Sequence, residues 1–452
     1  MSQAQTGKGA RGFNLSENGH GGPDPERLRI ALTLYRGNMY SGGQGIYLYY
    51  LARELVRLGH DVHAIVGPPA PDLPDGVTMH YLHNHRFFEY KTGAVRRGGG
   101  PQILLNPINF YELMVSRIGF FPEANSFSLR AYRYLSKVFK NPGRRFDIVH
   151  DNQSLGYGMA LMKTLHVPVV ATYHHPLAID RIAHLRQVHN EKLNQILGAS
   201  FFYPIFMHRL VARAMDLVLT DSEAASRQVQ QYVGVPKDRM RVVYLGVDTD
   251  NFYPRPEIKK RPNTLIYVGT TEDKKKGFLF MIQALSILRK KRDVRLIVVD
   301  KKLEDLWSAP DLVTRYHVAD CIEFTGRLSY EELAEKYCSA EISVVASTYE
   351  GFGLPAVEAM ACGLPVVSSD GGSMPEVVAD GKTGIIVPAR DPQALADGIE
   401  RLMDDPDLRE RMGRSGQEWV QRRFTWHEAA VNTVSVYREA IAMRRSSSVI
   451  PG

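Results

Sequence analysis

Cysteine is scarce in this chain. The three present among 452 residues, Cys321, Cys338 and Cys362, sit in apolar or helical contexts without metal-ligand spacing. That excludes a disulfide framework and fits a reducing compartment, hence a cytoplasmic protein. Long hydrophobic runs are missing too. The most apolar stretch, Phe201 to Met207, is far short of the roughly 18 residues that a membrane-spanning helix needs. No Asp-x-Asp cluster stands at a place that suits a divalent ion, so no bound metal is expected. Residues 1–26 lack an apolar signal core and are rich in Gly, Ser, Asn and Gln, which reads as a disordered leader.

What is there is a globular composition, 44% hydrophobic, in a chain too long for one ordinary core. The net charge of +7 is concentrated in residues 86–145, where eleven lysines and arginines face three glutamates. The same segment carries eleven aromatics, among them Phe87, Phe88, Tyr90, Phe110 and Phe121. Basic residues interleaved with rings suit an anionic membrane surface, each cation adding about 1 kcal/mol near it. Nucleic acid would use a similar mix. The plain alternative is an insertion whose rings pack under the first domain while its charges stay solvated.

Leu28 to Leu34 reads as a buried strand. A glycine turn follows, then a helix with Leu48, Leu51, Ala52, Leu55 and Leu58 at helical spacing, then a strand at Val62 to Val66. Phe146 to Val149, Val167 to Ala171 and Leu217 to Thr220 continue the series. A second series follows a proline-bearing stretch at 251–262, with strands at Thr264–Val268, Val294–Val299, Ile322–Phe324, Ile342–Ala346 and Val366–Ser368. Short β-rich runs alternating with helices predict an α/β chain with two doubly wound, Rossmann-like domains around a central cleft. Ligands should bind beyond the carboxyl ends of the strands. The expected division is 27–250 (with the insertion 86–145), a linker 251–262, a second domain 263–425, and a final helix and tail in 426–452.

The most informative stretch runs from Ser347 to Gly363. Glu350 and Glu358 stand with seven residues between them, around a glycine loop that opens a helix. Pro355 suits the first helical position. The amides of Phe352, Gly353 and Leu354 would then lie unpaired at a positive helix end, a seat for a phosphate or a sugar oxygen. One carboxylate can hold a sugar and the other a ribose. A capped loop with two solvated glutamates is the bland alternative.

Three further stretches end strands. Gly42, Gly43 and Gly45 open the first helix, where glycines let a backbone approach a phosphate. A dinucleotide fingerprint is disfavoured, because position 48 is leucine and Val66-Gly67-Pro68 offers no acid for a ribose. His174 and His175 lie just past a strand's carboxyl end, able to hydrogen-bond a hydroxyl or shift a proton. Lys274, Lys275 and Lys276 precede Gly277, where an ammonium suits a diphosphate, although a triple lysine is more often a solvated run.

EGFGLPAVEAMACGLPVV, read from Glu350, together with Gly371-Gly-Ser-Met-Pro-Glu376-Val-Val378, resembles the signature of retaining glycosyltransferases of family 4, which have the GT-B fold. The resemblance extends from about Arg29 to about Tyr437. It implies a nucleotide-diphosphate sugar as co-substrate, no other cofactor, and a final helix (Trp426 to Arg444) that crosses back onto the first domain. It implies that Gly42, Gly43 and Gly45 form a phosphate loop, that His174 rather than His175 lies beside the transferred sugar, and that Lys276 neutralises the diphosphate. Phe324-Thr-Gly326-Arg327 resembles the loop that holds the nucleotide base. One departure stands out. The family commonly has an arginine after the glycine at position 269, and this chain has Thr270 in a loop one residue longer.

The expected catalytic set is therefore His174, Glu350 and Lys276. The expected donor-binding set is Gly42, Gly43, Gly45, Thr270, Lys276, Arg327, Phe352, Gly353, Leu354 and Glu358. The expected reaction is retaining, metal-independent sugar transfer to a lipid, lipid-linked saccharide or polysaccharide, at the inner face of the membrane if residues 86–145 dock there. No nucleic-acid partner is expected. A small soluble acceptor, a catalytically silent nucleotide-sugar binder and a nicotinamide-dependent oxidoreductase are the competing readings.

Overall fold

The computed structural model describes residues 27–37, 43–90, 95, 100–118, 121–174, 177 and 204–448. Two all-parallel sheets organise them. The first has seven strands: β1 (Arg29–Leu34), β2 (Asp61–Val66), β3 (Thr78–Tyr81), β4 (Ile148–Asn152), β5 (Val169–Thr172), β6 (Leu217–Thr220) and β7 (Met240–Val242), in the order β3-β2-β1-β4-β5-β6-β7. The second has six: β8 (Thr264–Val268), β9 (Arg295–Val299), β10 (Ile322–Phe324), β11 (Ile342–Val345), β12 (Val366–Ser369) and β13 (Gly384–Val387), in the order β10-β9-β8-β11-β12-β13. Each order reverses once, between β1 and β4 and between β8 and β11. Those two switch points are where an open parallel sheet leaves a crevice.

The sheets form because their strands are apolar on both faces. Ile30, Leu32, Leu34, Ile65 and Val66 are fully covered, as are Leu265, Ile266, Leu296 and Val344. Helices on each side supply the cover. The strand expected at Phe146–Val149 begins two residues later and runs into His150, Asp151 and Asn152, all buried. Polar groups survive there because each has a partner: Thr33 Oγ1 donates to Asp151 Oδ1 at 2.9 Å and the Leu155 amide to Asp151 Oδ2 at 2.8 Å. Strands β3, β7 and β13 were not expected. The first is an exposed edge and the second has three residues, so neither carries much periodic signal.

The chain passes between the domains beside its own end. The Val247 amide bonds Phe424 O at 2.8 Å. The helix Trp426–Ser448 then lies against the first helix, Gln44–Arg57, with Trp426 stacked on Tyr50 at 5.3 Å. Tyr437 from that last helix reaches His150 Nδ1 at 2.6 Å, and Arg241 pairs with Glu439.

In the insertion, packing claims most of the rings. Phe87, Phe127 and Phe139 are buried, Phe88 meets Phe121 edge to face at 5.4 Å, and Tyr134 bonds His80. A membrane contact through Phe87 is therefore corrected: that ring packs inward against Leu113. Arg96, Arg97 and Phe120 lie outside the described residues. The exposed apolar face is instead Leu105, Phe110, Met114 and Ile118, the last three at four-residue spacing on or just after the helix Pro107–Arg117. Among the described residues, no helix is long and apolar enough to cross a membrane.

Candidate active site

Strand ends bring the site together. In the first domain, Gly43 caps the helix Gln44–Arg57 in a left-handed conformation (φ 70°), and Gly45 is buried in its first turn. Gly42 and His175 lie outside the described residues. His174 follows β5 and is held on every side. Its Nδ1 faces Asp221 Oδ2 at 2.8 Å, its Nε2 faces Asn152 Oδ1 at 2.8 Å, and its amide donates to Gln153 Oε1 at 2.7 Å. Asn152 is itself oriented, since its Nδ2 donates to Gln44 O at 2.9 Å. The glycine turn, the β4 end, the β5 end and the β6 end thus form one hydrogen-bonded unit. Tyr47 lies edge-on to His174 at 4.7 Å and bonds Thr172, which bonds His150. Burial pushes the His150 imidazole down to about 3, with His174 adding to the effect, so His150 is neutral and structural.

In the second domain, Lys276 and Glu350 meet. The Lys276 ammonium sits 2.9 and 3.0 Å from the two carboxylate oxygens of Glu350, and Ser347 Oγ donates to Oε1 at 2.7 Å. Glu350 is buried and Lys276 half-buried. Two glycines make the approach possible. A Cβ on Gly277 (φ 70°) would lie 1.9 Å from Ala346 O, and one on Gly353 (φ 91°) would lie 2.6 Å from Met374 Sδ. The helix opened by Gly353 runs Leu354–Ala361, so Pro355 takes its second position rather than its first. Glu358 lies one turn in, where Tyr337 O–H donates to its Oε2 at 3.0 Å. Burial pushes the Glu358 carboxyl up to about 7, opposed by that hydrogen bond.

Thr270 is exposed, while Thr271 turns inward and donates from its amide and hydroxyl to Asp300 at 2.7 and 2.8 Å. That joins the β8 loop to the β9 loop. Beside it, Arg327 lines a cavity of about 590 Å³ with Lys301, Lys302, Asp305, Thr325 and Gly326. Among the described residues, no three His, Cys, Asp or Glu side chains are grouped so that they could hold a metal ion.

The two halves touch beside these groups. Ser222, next to Asp221, donates to Gly351 O at 2.7 Å, which brings the His174 unit to the Glu350 loop. Glu376 accepts from the amides of Glu223 and Ala224, both at 2.7 Å, and so caps a first-domain helix with a second-domain carboxylate. Ser222 also caps that helix, its side chain accepting from the Ala225 amide. Asn152, Asp221, Ser347, Tyr337 and Glu376 were not expected as site residues. Ser347 stood in the stretch that runs to Gly363, Glu376 in the Gly371–Val378 motif, and Asp221 in Asp221-Ser222-Glu223, which also resembles the family pattern.

Paired Rossmann-like sheets whose strand-end loops meet across a cleft define a GT-B protein. Solved structures share it: sucrose-phosphate synthase from Thermosynechococcus elongatus superposes with a TM-score of 0.68 at 22% identity, covering 92% of this chain and 100% of that one. Anabaena Alr3699/HepE, solved in complex with UDP-glucose, does so at 0.62 and 17%, covering 93% and 100%. Residues 41–251 match the family described as Glycosyltransferase Family 4 and residues 248–419 match Glycosyl transferases group 1. The MMP α-(1→4)-mannosyltransferase of Mycolicibacterium hassiacum is 37% identical over 92% of this chain and 99% of its own length. A D-inositol 3-phosphate glycosyltransferase from Acidothermus cellulolyticus is 27% identical over 90% and 88%. The chain belongs to glycosyltransferase family 4 and is a glycosyltransferase.

Proposed function

We propose that this enzyme is a retaining, metal-independent hexosyltransferase that moves a sugar, with mannose the first candidate, from a nucleotide-diphosphate donor to a saccharide hydroxyl. The observation that carries the reading is the Lys276–Glu350 pair at the ends of β8 and β11, brought against the His174 unit through Ser222 and Gly351. Lys276 offsets the charge growing on the leaving diphosphate, the electrostatic contribution that is usually largest in such sites. The amides of Phe352, Gly353 and Leu354, the turn at Gly43 and Gly45, and the Thr270 loop receive the remaining phosphate oxygens. Glu350 holds sugar hydroxyls and favours the positive charge building at the anomeric carbon. Arg327 borders the nucleobase, and Glu358 takes the ribose hydroxyls. His174 orients the sugar or the incoming hydroxyl when its Nε2 exchanges Asn152 for a ligand oxygen.

Both His174 nitrogens already face oxygen acceptors, so neither is placed to take a proton from the acceptor. The leaving phosphate oxygen is the base that remains. It supports attack on the face of departure, with the anomeric configuration kept. Closure of the domains, held by Glu376, limits donor hydrolysis.

The relative's name, an α-(1→4)-mannosyltransferase, favours a saccharide acceptor and mannose as the sugar. A lipid-linked saccharide at the inner membrane face, in envelope glycoconjugate synthesis, is the second reading. It is favoured by the exposed Leu105, Phe110, Met114 and Ile118 beside Arg117. Flotation with anionic vesicles separates the two, and binding lost on replacing Phe110 and Met114 is the result the second requires. The free cysteines suit a cytoplasmic enzyme.

The deciding experiment incubates purified protein with a panel of nucleotide sugars and short saccharides, following nucleoside diphosphate release and the product's anomeric NMR signal. An α-linked product from an α-linked donor is expected. Binding without turnover under all conditions would instead identify a silent nucleotide-sugar binder, and a β-linked product would overturn retention.

The Glu358 assignment carries a pH signature. A carboxyl titrating near 7 is charged above that value and protonated below it. The ionised form binds ribose hydroxyls more strongly. Donor KM should therefore rise as pH falls, by up to about tenfold for each unit below about 7. Glu358→Gln should start with a raised KM and show a flat profile, and a wild-type KM independent of pH would remove Glu358 from the ribose.

A further inference from the structure

The positive charge of residues 86–145 has a focus outside the candidate active site. On the helix Glu123–Val138, Arg130, Arg133, Tyr134 and Lys137 recur at three- and four-residue spacing and so share one face. That face borders a cavity of about 380 Å³. The loop after β3, with His83 and His85, lines it from another side, and the start of the helix Pro107–Arg117, with Asn109, from a third. No aspartate or glutamate is among the lining residues.

Arg130 is locked in place. Its Nη2 donates to Asn109 Oδ1 at 2.8 Å and to Glu112 Oε2 at 2.6 Å, and Asn109 is held in turn by donating to Ile103 O at 2.8 Å. The other terminal nitrogen, Nη1, is buried and has no acceptor among the described residues. A buried donor without an acceptor is costly and rare, so an orphan on a fixed guanidinium marks a place for a ligand oxygen. Glu112, which does not line the cavity, cancels the charge of Arg130. Arg133 and Lys137 are exposed and have no ion pair among the described residues. The cavity therefore keeps two positive charges from these two side chains.

We propose that this cavity binds a phosphate monoester. Such a group carries about −1.5 to −2 charge at pH 7 and three strong acceptor oxygens. It offsets both excess cations and supplies the acceptor that Arg130 Nη1 lacks. A carboxylate or a phosphate diester brings only one charge. The arginine forks take phosphate oxygens in pairs, and the lysine ammonium adds a point charge. The volume falls within the roughly 300–1,000 Å³ of small-molecule sites, so part of the molecule that bears the phosphate enters with it. A soluble polyol or sugar phosphate and a phosphomonoester lipid headgroup share this chemistry. The lipid source is open because Leu105 and Phe110, both exposed, stand next to Asn106 and Asn109 along the chain. The site does not rest on the sugar-transfer reading.

The test titrates the full chain with inorganic phosphate by calorimetry, with UDP and GDP in excess to fill a diphosphate seat at the strand ends. Saturable binding is expected. Arg133→Gln combined with Lys137→Gln should weaken it about tenfold or more, the scale of lost hydrogen bonds to a charged group. Both side chains are exposed, so the melting temperature should hold. Arg130→Lys keeps the charge, removes the fork, and should also weaken binding about tenfold. Dimethyl phosphate, a diester, should bind distinctly more weakly than inorganic phosphate. Absence of binding, or binding that the double variant leaves intact, overturns the site. Equal affinity for dimethyl phosphate overturns the monoester assignment. Two further arms separate the sources. Flotation with vesicles of phosphatidylcholine and phosphatidic acid, lost in the double variant, identifies a headgroup. Saturable binding of β-glycerol phosphate without flotation identifies a soluble phosphate ester.

Discussion

Lys276→Met is expected to lower kcat/KM for the nucleotide sugar about 10²- to 10³-fold, the range seen when one preorganised charge-stabilising donor is removed from an active site. The side chain is nearly isosteric, so the change removes the ammonium and little else. It also leaves Glu350, buried and otherwise bonded to Ser347, without its cation. Breaking a buried pair from one side costs roughly 3–5 kcal/mol, and the partial exposure of Lys276 reduces that here. The melting temperature should therefore fall as well. The double variant Lys276→Met with Glu350→Gln isolates the stability effect, because the amide no longer needs a cation, while both proposed catalytic groups are then gone. Stability should recover and activity should not. If activity recovered with stability, Lys276 would only be shielding Glu350.

Asp221→Ala is expected to cost about ten- to a hundredfold in kcat, following from the roughly 1.5–3 kcal/mol of a hydrogen bond to a charged group. Asp221 holds one edge of the His174 ring while Asn152 holds the other. Without it the ring can swing, and the group proposed to orient the sugar or the acceptor hydroxyl is lost. With His174 serving the reacting sugar as proposed, donor KM should move much less than kcat. Asp221→Asn keeps an acceptor oxygen and should recover part of the rate. Steady-state kinetics on the three proteins decides it, and a loss confined to KM would make Asp221 a donor-binding residue instead.

Much of the site was legible because its chemistry sits in short contiguous stretches. Glu350, Gly353 and Glu358 share one loop and helix, and Lys276 directly precedes the glycine that lets its backbone approach Ala346. His174 could be placed past a strand end by the apolar run before it. The residues that hold these groups were not legible. Asp221 stands in a stretch that resembles the family pattern, yet it meets His174 from 47 positions away, and Asn152 meets it from 22. Glu376 was visible as part of a pattern, yet nothing local shows that it caps a helix 152 residues earlier. The aromatic insertion is the clearest case. Phe87 and Phe110 look alike in sequence, but one is fully buried and the other half exposed, because only Phe87 faces the small core formed with Leu113.

By itself the sequence determined the alternation of strand and helix, and with it two parallel sheets whose loops open at one end. Hydrophobic periodicity is a local property, set by which neighbours along the chain must share a face. Tertiary structure alone decided which polar groups meet: His174 with Asp221 and Asn152, and Tyr437 with His150 across 287 residues. A buried donor or acceptor takes whatever partner the strand order and helix packing place beside it, and that order is a property of the assembled sheet rather than of any segment.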